Sequence, residues 1–447
     1  MALDRIFKAY DVRGLYPDEF DEDAARRIGT AFAQFTGTRA IVVGRDVRPS
    51  SPSLVAAFVE GVTSSGTDVV DIGLSTTDML YFGSGRLDLP GAMFTASHNP
   101  PSYNGLKLCR QRAAPVGEDS GLMEVRTLAE RDARPGASAP GKVETRSMLD
   151  EYVDHVLSFV DPGAMAPLTV VADAANGMAG LVLPPVFDRL PSKLVGLYLE
   201  LDGTFPNHPA DPIQPENQED LRRAVFEHGA DIGLAFDGDA DRVFVVDEKA
   251  RGVSGSLITA LVAEVMLERE PGAKVIHNLI TSWVVPEVIR EKGGQPIRTR
   301  VGHSFIKKVM ADTGAIFGGE HSGHYYFRDH YRADSGLIAA LMVLDRLSRA
   351  GVPLSQLLEP YQRYHASGEI NSEVEDQAAA VMHVAAAFSD GRMDRTDGLT
   401  VEYDDWWFNV RPSNTEPLLR LNVEARTREL MEEKTAEVLA VIRGEKT

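Results

Sequence analysis

The feature of this 447-residue chain that restricts its fold most is a strand–helix–strand plan that occurs three times. Residues 41–76 run from the apolar strand 41–44 through a polar loop and an amphipathic helix to a second apolar strand. The same order occurs in residues 168–201 and 274–303. Short apolar strands that alternate with helices predict parallel sheets covered by helices on both faces. Ligands of such sheets bind at the carboxyl ends of the strands, so the loops there are candidate sites.

The chain from about residue 365 follows a different plan, with a strand, a helix, two long antiparallel strands and a final helix. The long strands 406–410 and 418–423 flank a polar loop, and Gly444 suits the end of the last helix. We therefore predict an α/β fold class: three similar α/β domains with mixed or parallel sheets, plus a smaller C-terminal α+β domain, around a central cleft. The predicted domain ranges are 1–146, 147–252, 253–364 and 365–447.

Composition excludes several classes of protein and of partner. Hydrophobic residues make up 43% and charged residues 25%, as in ordinary globular proteins, which excludes collagen-like, coiled-coil and disordered chains. The net charge of −20 disfavours nucleic acid and membrane surfaces as partners. The single cysteine, Cys109, leaves no disulfide framework and no thiolate zinc cluster. We expect a cytoplasmic protein, monomeric or homodimeric, with no nucleic-acid and no membrane partner.

The first candidate loop reads Thr-Ala-Ser-His-Asn-Pro at residues 95–100 and follows an apolar strand. Ser97, beside His98 in an exposed turn, is either a nucleophile or an ordinary turn residue, since Ser, Asn and Pro are all common in turns. The Gly-x-Ser-x-Gly elbow of α/β-hydrolases is absent here.

The second candidate loop carries three carboxylates at alternate positions, Asp237, Asp239 and Asp241, followed by Arg242. Oxygen ligands of this kind suit Mg²⁺. An EF-hand is excluded because its sixth position requires glycine and holds Arg242, and because an apolar strand follows. A metal site is therefore favoured over a solvated acidic turn.

Two further loops carry groups that suit a sugar phosphate. Residues 319–324 read Gly-Glu-His-Ser-Gly-His, which offers hydrogen bonds to sugar hydroxyls or forms a surface turn. Zinc is disfavoured there because no third nitrogen or sulfur ligand lies at a normal spacing. Residues 411–415 read Arg-Pro-Ser-Asn-Thr, which suits a phosphate dianion or an ordinary hairpin loop.

Taken in this order, the four loops resemble one family, the α-D-phosphohexomutases, and within it the bacterial phosphomannomutase/phosphoglucomutase branch. The resemblance covers nearly the whole chain. It includes the motifs Tyr-Asp-Val-Arg-Gly at 10–14, Asn-Gly-Leu-Lys at 104–107, Asp-Gly-Thr-Phe-Pro-Asn-His at 202–208 and Val-Gly-His at 301–303.

The resemblance implies an intramolecular phosphotransferase that interconverts hexose 1-phosphate and hexose 6-phosphate, of mannose, glucose or both. The reaction would pass through a phosphoserine and a hexose 1,6-bisphosphate, which also serves as activator. Lys107 would be the general base, with a pKa lowered by burial beside Mg²⁺ and Arg242. The implied catalytic residues are Ser97, His98, Lys107 and Arg242, and the implied Mg²⁺ ligands are Ser97, Asp237, Asp239 and Asp241. The implied substrate-binding residues are Tyr10, Arg13, His303, Glu320, His321, Ser322, Gly323, His324, Arg411, Ser413, Asn414 and Thr415.

Several alternatives stay open at this point. A Mg²⁺-dependent sugar phosphatase would use the same aspartate loop but transfer the phosphoryl group to water. A sugar-phosphate-binding regulator would keep the fold without catalysis, although the intact Ser97, Lys107 and aspartates argue against it. The preferred hexose stays open as well, because His321 occupies the variable position of the sugar loop. The sequence also leaves open whether Lys107 or His303 is the main acid/base.

Overall fold

The computed structural model of the chain describes residues 3–131, 139–412 and 418–444. The strands in these residues form four sheets, one after another along the chain. The first sheet has the order β1-β5-β4-β2-β3-β7, with β6 beside β5. Its strands are β1 Val12–Leu15, β2 Ala40–Arg45, β3 Asp68–Leu74, β4 Gly91–Phe94, β5 Tyr103–Arg110, β6 Ala114–Pro115 and β7 Val143–Thr145. Its helices are α1 Glu22–Thr36, α2 Ser51–Ser64, α3 Thr77–Leu87 and α4 Leu122–Glu130.

The second and third sheets follow the predicted strand–helix–strand plan, and both are mixed. The second sheet has the order β12-β11-β10-β8-β9. Its elements are α5 Leu149–Leu157, β8 Thr169–Asp173, α6 Ala179–Phe187, β9 Lys193–Leu197, α7 Glu219–His228, β10 Ile232–Phe236, β11 Val243–Asp247 and β12 Gly252–Val253. The third has the order β14-β13-β15-β16. Its elements are α8 Gly255–Arg269, β13 Lys274–Asn278, α9 Val284–Glu291, β14 Gln295–Thr299, α10 His303–Thr313, β15 Phe317–Gly319, β16 Tyr325–Phe327, α11 Gly336–Ala350 and α12 Leu354–Leu357.

The fourth sheet is antiparallel, with the order β17-β22-β21-β20-β19 and β18 paired to β22. Its elements are β17 His365–Ala366, β18 Ile370–Glu373, α13 Gln377–Ala387, β19 Arg392–Asp394, β20 Leu399–Glu402, β21 Trp406–Pro412, β22 Leu418–Ala425 and α14 Arg428–Arg443. The predicted fold class is confirmed. The sequence analysis missed β19 and β20, because β19 is short and mostly exposed and gives no alternating pattern. We propose that each sheet with its helices is one domain, with the ranges predicted above.

The hydrophobic core links the first three sheets and leaves the fourth apart. Val42, Val170 and Val275, one from each of the first three sheets, belong to a single continuous cluster of buried side chains. The fourth sheet has its own cluster around Phe408. Its contacts with the third sheet include a polar one, since Glu424 Oε1 accepts a hydrogen bond from the Trp283 amide at 2.9 Å. The fourth sheet is therefore a separately packed unit that borders a body formed by the other three.

No helix in residues 3–131, 139–412 and 418–444 is both long and apolar enough to span a lipid bilayer.

Candidate active site

Ser97 follows β4 and lies against the second sheet rather than in the exposed turn that the sequence suggested. It is only 5% exposed, and its φ of 49° lies in the left-handed region, which non-glycine residues adopt infrequently. Its Oγ donates a hydrogen bond to Asp237 Oδ2 at 2.6 Å. A Cβ atom at Gly238 would lie 2.4 Å from the Ser97 carbonyl oxygen, so glycine there permits the two loops to meet. The expected exposure was wrong because the second sheet covers this loop.

Arg48 holds the Ser97 loop in place, and the sequence analysis did not single it out. Its guanidinium group is fully buried and pairs with Asp46 at 3.0 Å. It also donates hydrogen bonds to four carbonyl oxygens of the loop and its continuation, namely those of Ser97, Asn99, Pro100 and Tyr103, at 2.7–3.0 Å. The only signal in the sequence was that Arg48 lies two positions after Asp46, just beyond the carboxyl end of β2.

We expect Arg48→Met to destabilise the protein by about 3–5 kcal/mol, because it removes these hydrogen bonds and leaves Asp46 buried without its charged partner. Urea unfolding measures the change, and Arg39→Met, at an exposed position just before β2, is the control. If the free energies of unfolding of Arg48→Met and Arg39→Met differ by less than about 1 kcal/mol, the anchoring role is contradicted.

The three aspartates of the second loop lie together between β10 and β11. Asp237, Asp239 and Asp241 are almost fully buried, and one carboxylate oxygen from each lies within 4.8 Å of the others. The Oδ1 atoms of Asp239 and Asp241 accept no hydrogen bond from any residue that the structure describes. Buried carboxylate oxygens without donors suit a hard divalent cation, so the residues fit Mg²⁺.

Lys107, on β5, joins this cluster from the first sheet. Its Nζ donates to Asp239 Oδ2 at 2.7 Å and to Asp241 Oδ2 at 2.6 Å. Burial by itself lowers the pKa of Lys107, but the two carboxylates outweigh burial and hold this pKa well above its ordinary value. Burial likewise favours a raised pKa for Asp239, whereas Lys107 holds that pKa well below its ordinary value. The two ion pairs therefore favour the charged ammonium form of Lys107, and the predicted lowering of this pKa beside Mg²⁺ stays a prediction.

Arg242 and His98 complete the surroundings of the Ser97 hydroxyl. Arg242 donates from Nε to Asp237 Oδ2 at 3.0 Å, and its Nη2 lies 3.3 Å from Ser97 Oγ. The same Nη2 donates to His98 Nδ1 at 2.6 Å. Burial, followed by the charge of Arg242, lowers the pKa of His98 well below its ordinary value, so the imidazole is neutral. The serine thus lies between a carboxylate and a guanidinium group.

Residues 319–324, called the sugar loop here, lie directly beside the aspartate loop at residues 237–241. His324 forms a β-bridge with Arg242, and its Nε2 lies 3.8 Å from Asp241 Oδ1. Its Nδ1 is within hydrogen-bond distance of Ser322 Oγ, at 3.1 Å, and Gly323 between them has a φ of 84°.

Glu320 and His321, at the start of this loop, differ in whether their side chains have hydrogen-bond partners. Glu320 is buried and accepts hydrogen bonds from Asn278, Tyr326 and the Gly302 amide at 2.7–3.2 Å. His321 Nδ1 is buried and has no hydrogen-bond partner among the described residues.

Tyr10 and Arg13 border the same cleft from the first sheet. Arg13 donates to Asn99 Oδ1 at 2.7 Å, which joins it to the Ser97 loop. The Tyr10 ring contacts Phe305 edge-on at a centroid distance of 6.0 Å. Burial and then the charge of Asp397, from the fourth sheet, raise the pKa of Tyr10. Residues of the first and fourth sheets therefore come close enough here for their charges to interact.

Arg411 and Pro412 are the members of the predicted phosphate loop that the structure describes. Arg411 lies at the end of β21, is largely buried, and pairs with Glu369 at 3.2 Å. Ser413, Asn414 and Thr415 lie outside the described residues. His303 begins α10, and its side chain likewise lies outside the described part of the structure.

Comparison with known proteins decides the family. Profiles described as Phosphoglucomutase/phosphomannomutase, alpha/beta/alpha domains I, II and III match residues 4–133, 150–252 and 254–364. The C-terminal domain profile of the same family matches residues 369–441. The chain belongs to this family. Membership confirms the predicted enzyme class: the protein is an intramolecular phosphotransferase.

Phosphohexomutase relatives match along nearly the whole chain. It is 42% identical to the phosphohexose mutases protein of Xanthomonas campestris pv. campestris, over 98% of this chain and 99% of that one. It is 43% identical to the phosphomannomutase of Salmonella typhimurium, over 98% of each chain. A solved phosphoglucomutase/phosphomannomutase family protein from Burkholderia thailandensis is 34% identical, with a TM-score of 0.90 over 99% of this chain and 98% of that one.

Proposed function

We propose that this phosphohexomutase interconverts the 1-phosphate and 6-phosphate of mannose, glucose or both, through a phosphorylated Ser97 and a hexose 1,6-bisphosphate. One observation carries the proposal. The Ser97 hydroxyl, three aspartates, Lys107 and Arg242 form a single buried cluster where loops of the first two sheets meet. This combination is what phosphoryl transfer requires, since catalysis there consists mainly of positioning and of balancing negative charge.

In the half-reaction that loads the enzyme, Ser97 Oγ attacks one phosphorus of the bisphosphate. The Oγ–P bond forms and the bond between phosphorus and the sugar oxygen breaks. The hydroxyl proton passes to Asp237 Oδ2, which already accepts it at 2.6 Å.

Lys107 supplies the proton that the departing sugar oxygen needs. Its ammonium group is charged in the protein described here, so it acts first as general acid. In the opposite half-reaction the neutral amine removes the proton from the attacking sugar hydroxyl, as microscopic reversibility requires. His98 keeps its acceptor nitrogen towards Arg242 and so orients that guanidinium group beside the phosphoryl oxygens.

Asp237, Asp239 and Asp241 would hold Mg²⁺ together with an oxygen of the Ser97 phosphate. When bound, the cation balances the charge that develops on the transferred phosphoryl group. The unused Oδ1 atoms of Asp239 and Asp241 support this assignment.

The rest of the cleft would bind the sugar and its second phosphate. Ser322, Gly323 and His324 would contact the sugar, with Glu320 and His321 beside them, and Tyr10, Arg13 and His303 would border it. Arg411, Ser413, Asn414 and Thr415 would bind the phosphate that is not reacting. Because the 1,6-bisphosphate must turn end for end, both sites must accept either end of the sugar.

One assay separates this proposal from its alternatives. Purified protein is given the 1-phosphates of mannose, glucose and glucosamine side by side, with Mg²⁺ and catalytic bisphosphate. We expect the 6-phosphates of mannose, glucose or both. Release of free phosphate without isomerisation would favour a sugar phosphatase, and binding without either product would favour a regulator. Either result would contradict the proposed mutase reaction.

A further inference from the structure

We propose that His208 is a positioning residue of the proposed reaction, because its ring fastens a loop that lies across the contact between the Ser97 loop and the aspartate loop. This loop comprises residues 202–210 and is called the covering loop here. Its first seven residues, Asp-Gly-Thr-Phe-Pro-Asn-His, are one of the motifs shared with the family, but no step of the proposed reaction uses them. The inference rests on the proposed function, since it concerns how the serine is held in place.

The start of the covering loop lies against the segment that anchors Ser97. A Cβ atom at Gly203 would lie 2.4 Å from the Val47 carbonyl oxygen, so glycine there permits the loop to meet the backbone next to Arg48. The Phe205 ring packs against the Arg48 guanidinium group, whose central carbon lies 5.3 Å from the ring centroid. Arg48 in turn donates hydrogen bonds to the Ser97 loop and its continuation. The covering loop therefore supports the anchor of the serine.

The end of the covering loop lies against the aspartate loop. Ala210 is buried, and its Cβ lies 3.5 Å from the position that a Cβ atom at Gly238 would occupy. Gly238 is also the residue that meets the Ser97 carbonyl oxygen. Phe205 and Ala210 belong to one small cluster of buried side chains. The covering loop therefore spans the junction at which the serine meets the aspartates.

His208 fastens the covering loop to the second sheet. Its Nε2 lies 3.0 Å from Oδ2 of Asp173, the last residue of β8, and its Nδ1 lies 2.8 Å from the Pro209 carbonyl oxygen. A carboxylate and a carbonyl group only accept hydrogen bonds, so the ring satisfies both when both of its nitrogens carry a proton. Asp173 is 1% exposed and pairs with Ala235 on β10, two positions before the aspartate loop. The charged ring therefore ties the covering loop to the strand beside the one that leads to the aspartates.

The surroundings of His208 favour its charged form. Burial alone lowers the pKa of His208, but the hydrogen bond and the charge of Asp173 outweigh burial and raise this pKa above its ordinary value. The carboxylate of Asp220, on α7, acts in the same direction. The Tyr198 ring contacts the imidazole edge-on at a centroid distance of 5.4 Å and adds no charge at neutral pH. Because the pKa is raised in the folded protein, the stabilisation is complete below the ordinary pKa and is lost as the pH rises through the raised one.

Steady-state kinetics test the positioning role. We expect His208→Gln to lower kcat roughly 10- to 100-fold for each hexose 1-phosphate that the wild type isomerises, because a small displacement of the serine slows transfer. KM should stay within about threefold, since the covering loop holds the serine and not the sugar. Asp173→Asn should have the same effect, and the double variant should be no slower than either single variant, because both remove one ion pair. His228→Gln, at an exposed position at the end of α7, should keep wild-type kinetics.

NMR titration of wild-type protein tests the charged ring directly. In protein labelled with ¹⁵N at its histidines, the resonance that is missing from His208→Gln or from His208→Asn identifies His208. We expect its pKa to lie above the ordinary value of 6.5 in wild type and to fall in Asp173→Asn. The titration follows the ring in the intact active protein, so it decides the tether even where a variant is too unstable for kinetics.

Two results would overturn the inference. One is a kcat for His208→Gln within about threefold of that for His228→Gln. The other is a pKa for His208 at or below 6.5 in wild type. Both differ from a failure of the proposed function, which would appear as a wild-type protein that does not isomerise hexose phosphates.

Discussion

Ser97→Ala should lower the rate of isomerisation by a factor of at least about 10³, because it removes the atom that accepts the phosphoryl group in the proposed reaction. The fold should survive. Asp237 Oδ2 loses one donor but keeps the hydrogen bond from Arg242 Nε at 3.0 Å, so we expect a cost of about 1–2 kcal/mol. Coupled-assay kinetics give the rate, and thermal unfolding gives the stability.

A second serine on the same loop provides the control. Ser102 is exposed, and Ser102→Ala should isomerise both sugars at the wild-type rate. Mass spectrometry of active wild-type protein should locate phosphate on Ser97. Phosphate found solely on a different residue, or a Ser97→Ala protein that keeps more than about a tenth of the activity, would remove Ser97 from the mechanism.

The elements that the sequence predicted well are those whose residues carry their own local signal. The apolar strand predicted to follow the aspartate loop is β11, which is short and mostly buried. Gly444 was predicted to end the last helix, and it follows α14 with a φ of 66°. Each of these depends on side chains within a few positions of one another, which is the range over which hydrophobic pattern and capping act.

The features that the sequence did not predict depend on contacts between distant segments. Ser97 is buried because the loop at Gly238, more than a hundred positions later, lies against it. Arg48 is important because its hydrogen bonds reach the carbonyl groups of another loop. The two ion pairs of Lys107 were not predicted for the same reason. Its sequence neighbours do not reveal that Asp239 and Asp241 come within hydrogen-bond distance.

The second large effect is expected for Asp239→Asn, which should lower kcat/KM by roughly 10²- to 10⁴-fold. The variant keeps one oxygen, but an amide nitrogen cannot replace a carboxylate ligand of Mg²⁺. Loss of metal assistance costs several kcal/mol of transition-state stabilisation, and about 1.4 kcal/mol corresponds to tenfold in rate. Steady-state kinetics across a range of Mg²⁺ concentrations measure the loss. The control is Asp188→Asn, at an exposed position directly after α6.

Metal binding can be followed without catalysis. A ligand that binds only the folded state at a hundredfold excess over its Kd adds about 2.7 kcal/mol of stability. Mg²⁺ should therefore raise the Tm of wild type and of Asp188→Asn, and should raise that of Asp239→Asn much less. Removal of metal with EDTA should stop wild-type isomerisation, and added Mg²⁺ should restore it. Full activity in metal-free buffer would contradict the metal role of the aspartates.

A comparison with Lys107→Met separates the loss of a metal ligand from the loss of an ion pair. Both Asp239→Asn and Lys107→Met weaken the contact between Lys107 Nζ and Asp239 Oδ2, which is 2.7 Å long in the protein. Only Asp239→Asn removes a carboxylate, whereas Lys107→Met removes a cation that lies against two carboxylates of the same cluster. The ammonium group and Mg²⁺ are both positive, so they repel each other and compete for the same carboxylates. Loss of the ammonium group should therefore strengthen Mg²⁺ binding, while it still slows proton transfer. Equal losses of the Mg²⁺-dependent Tm shift in both variants would mean that the ion pair, and not the ligand set, controls metal binding.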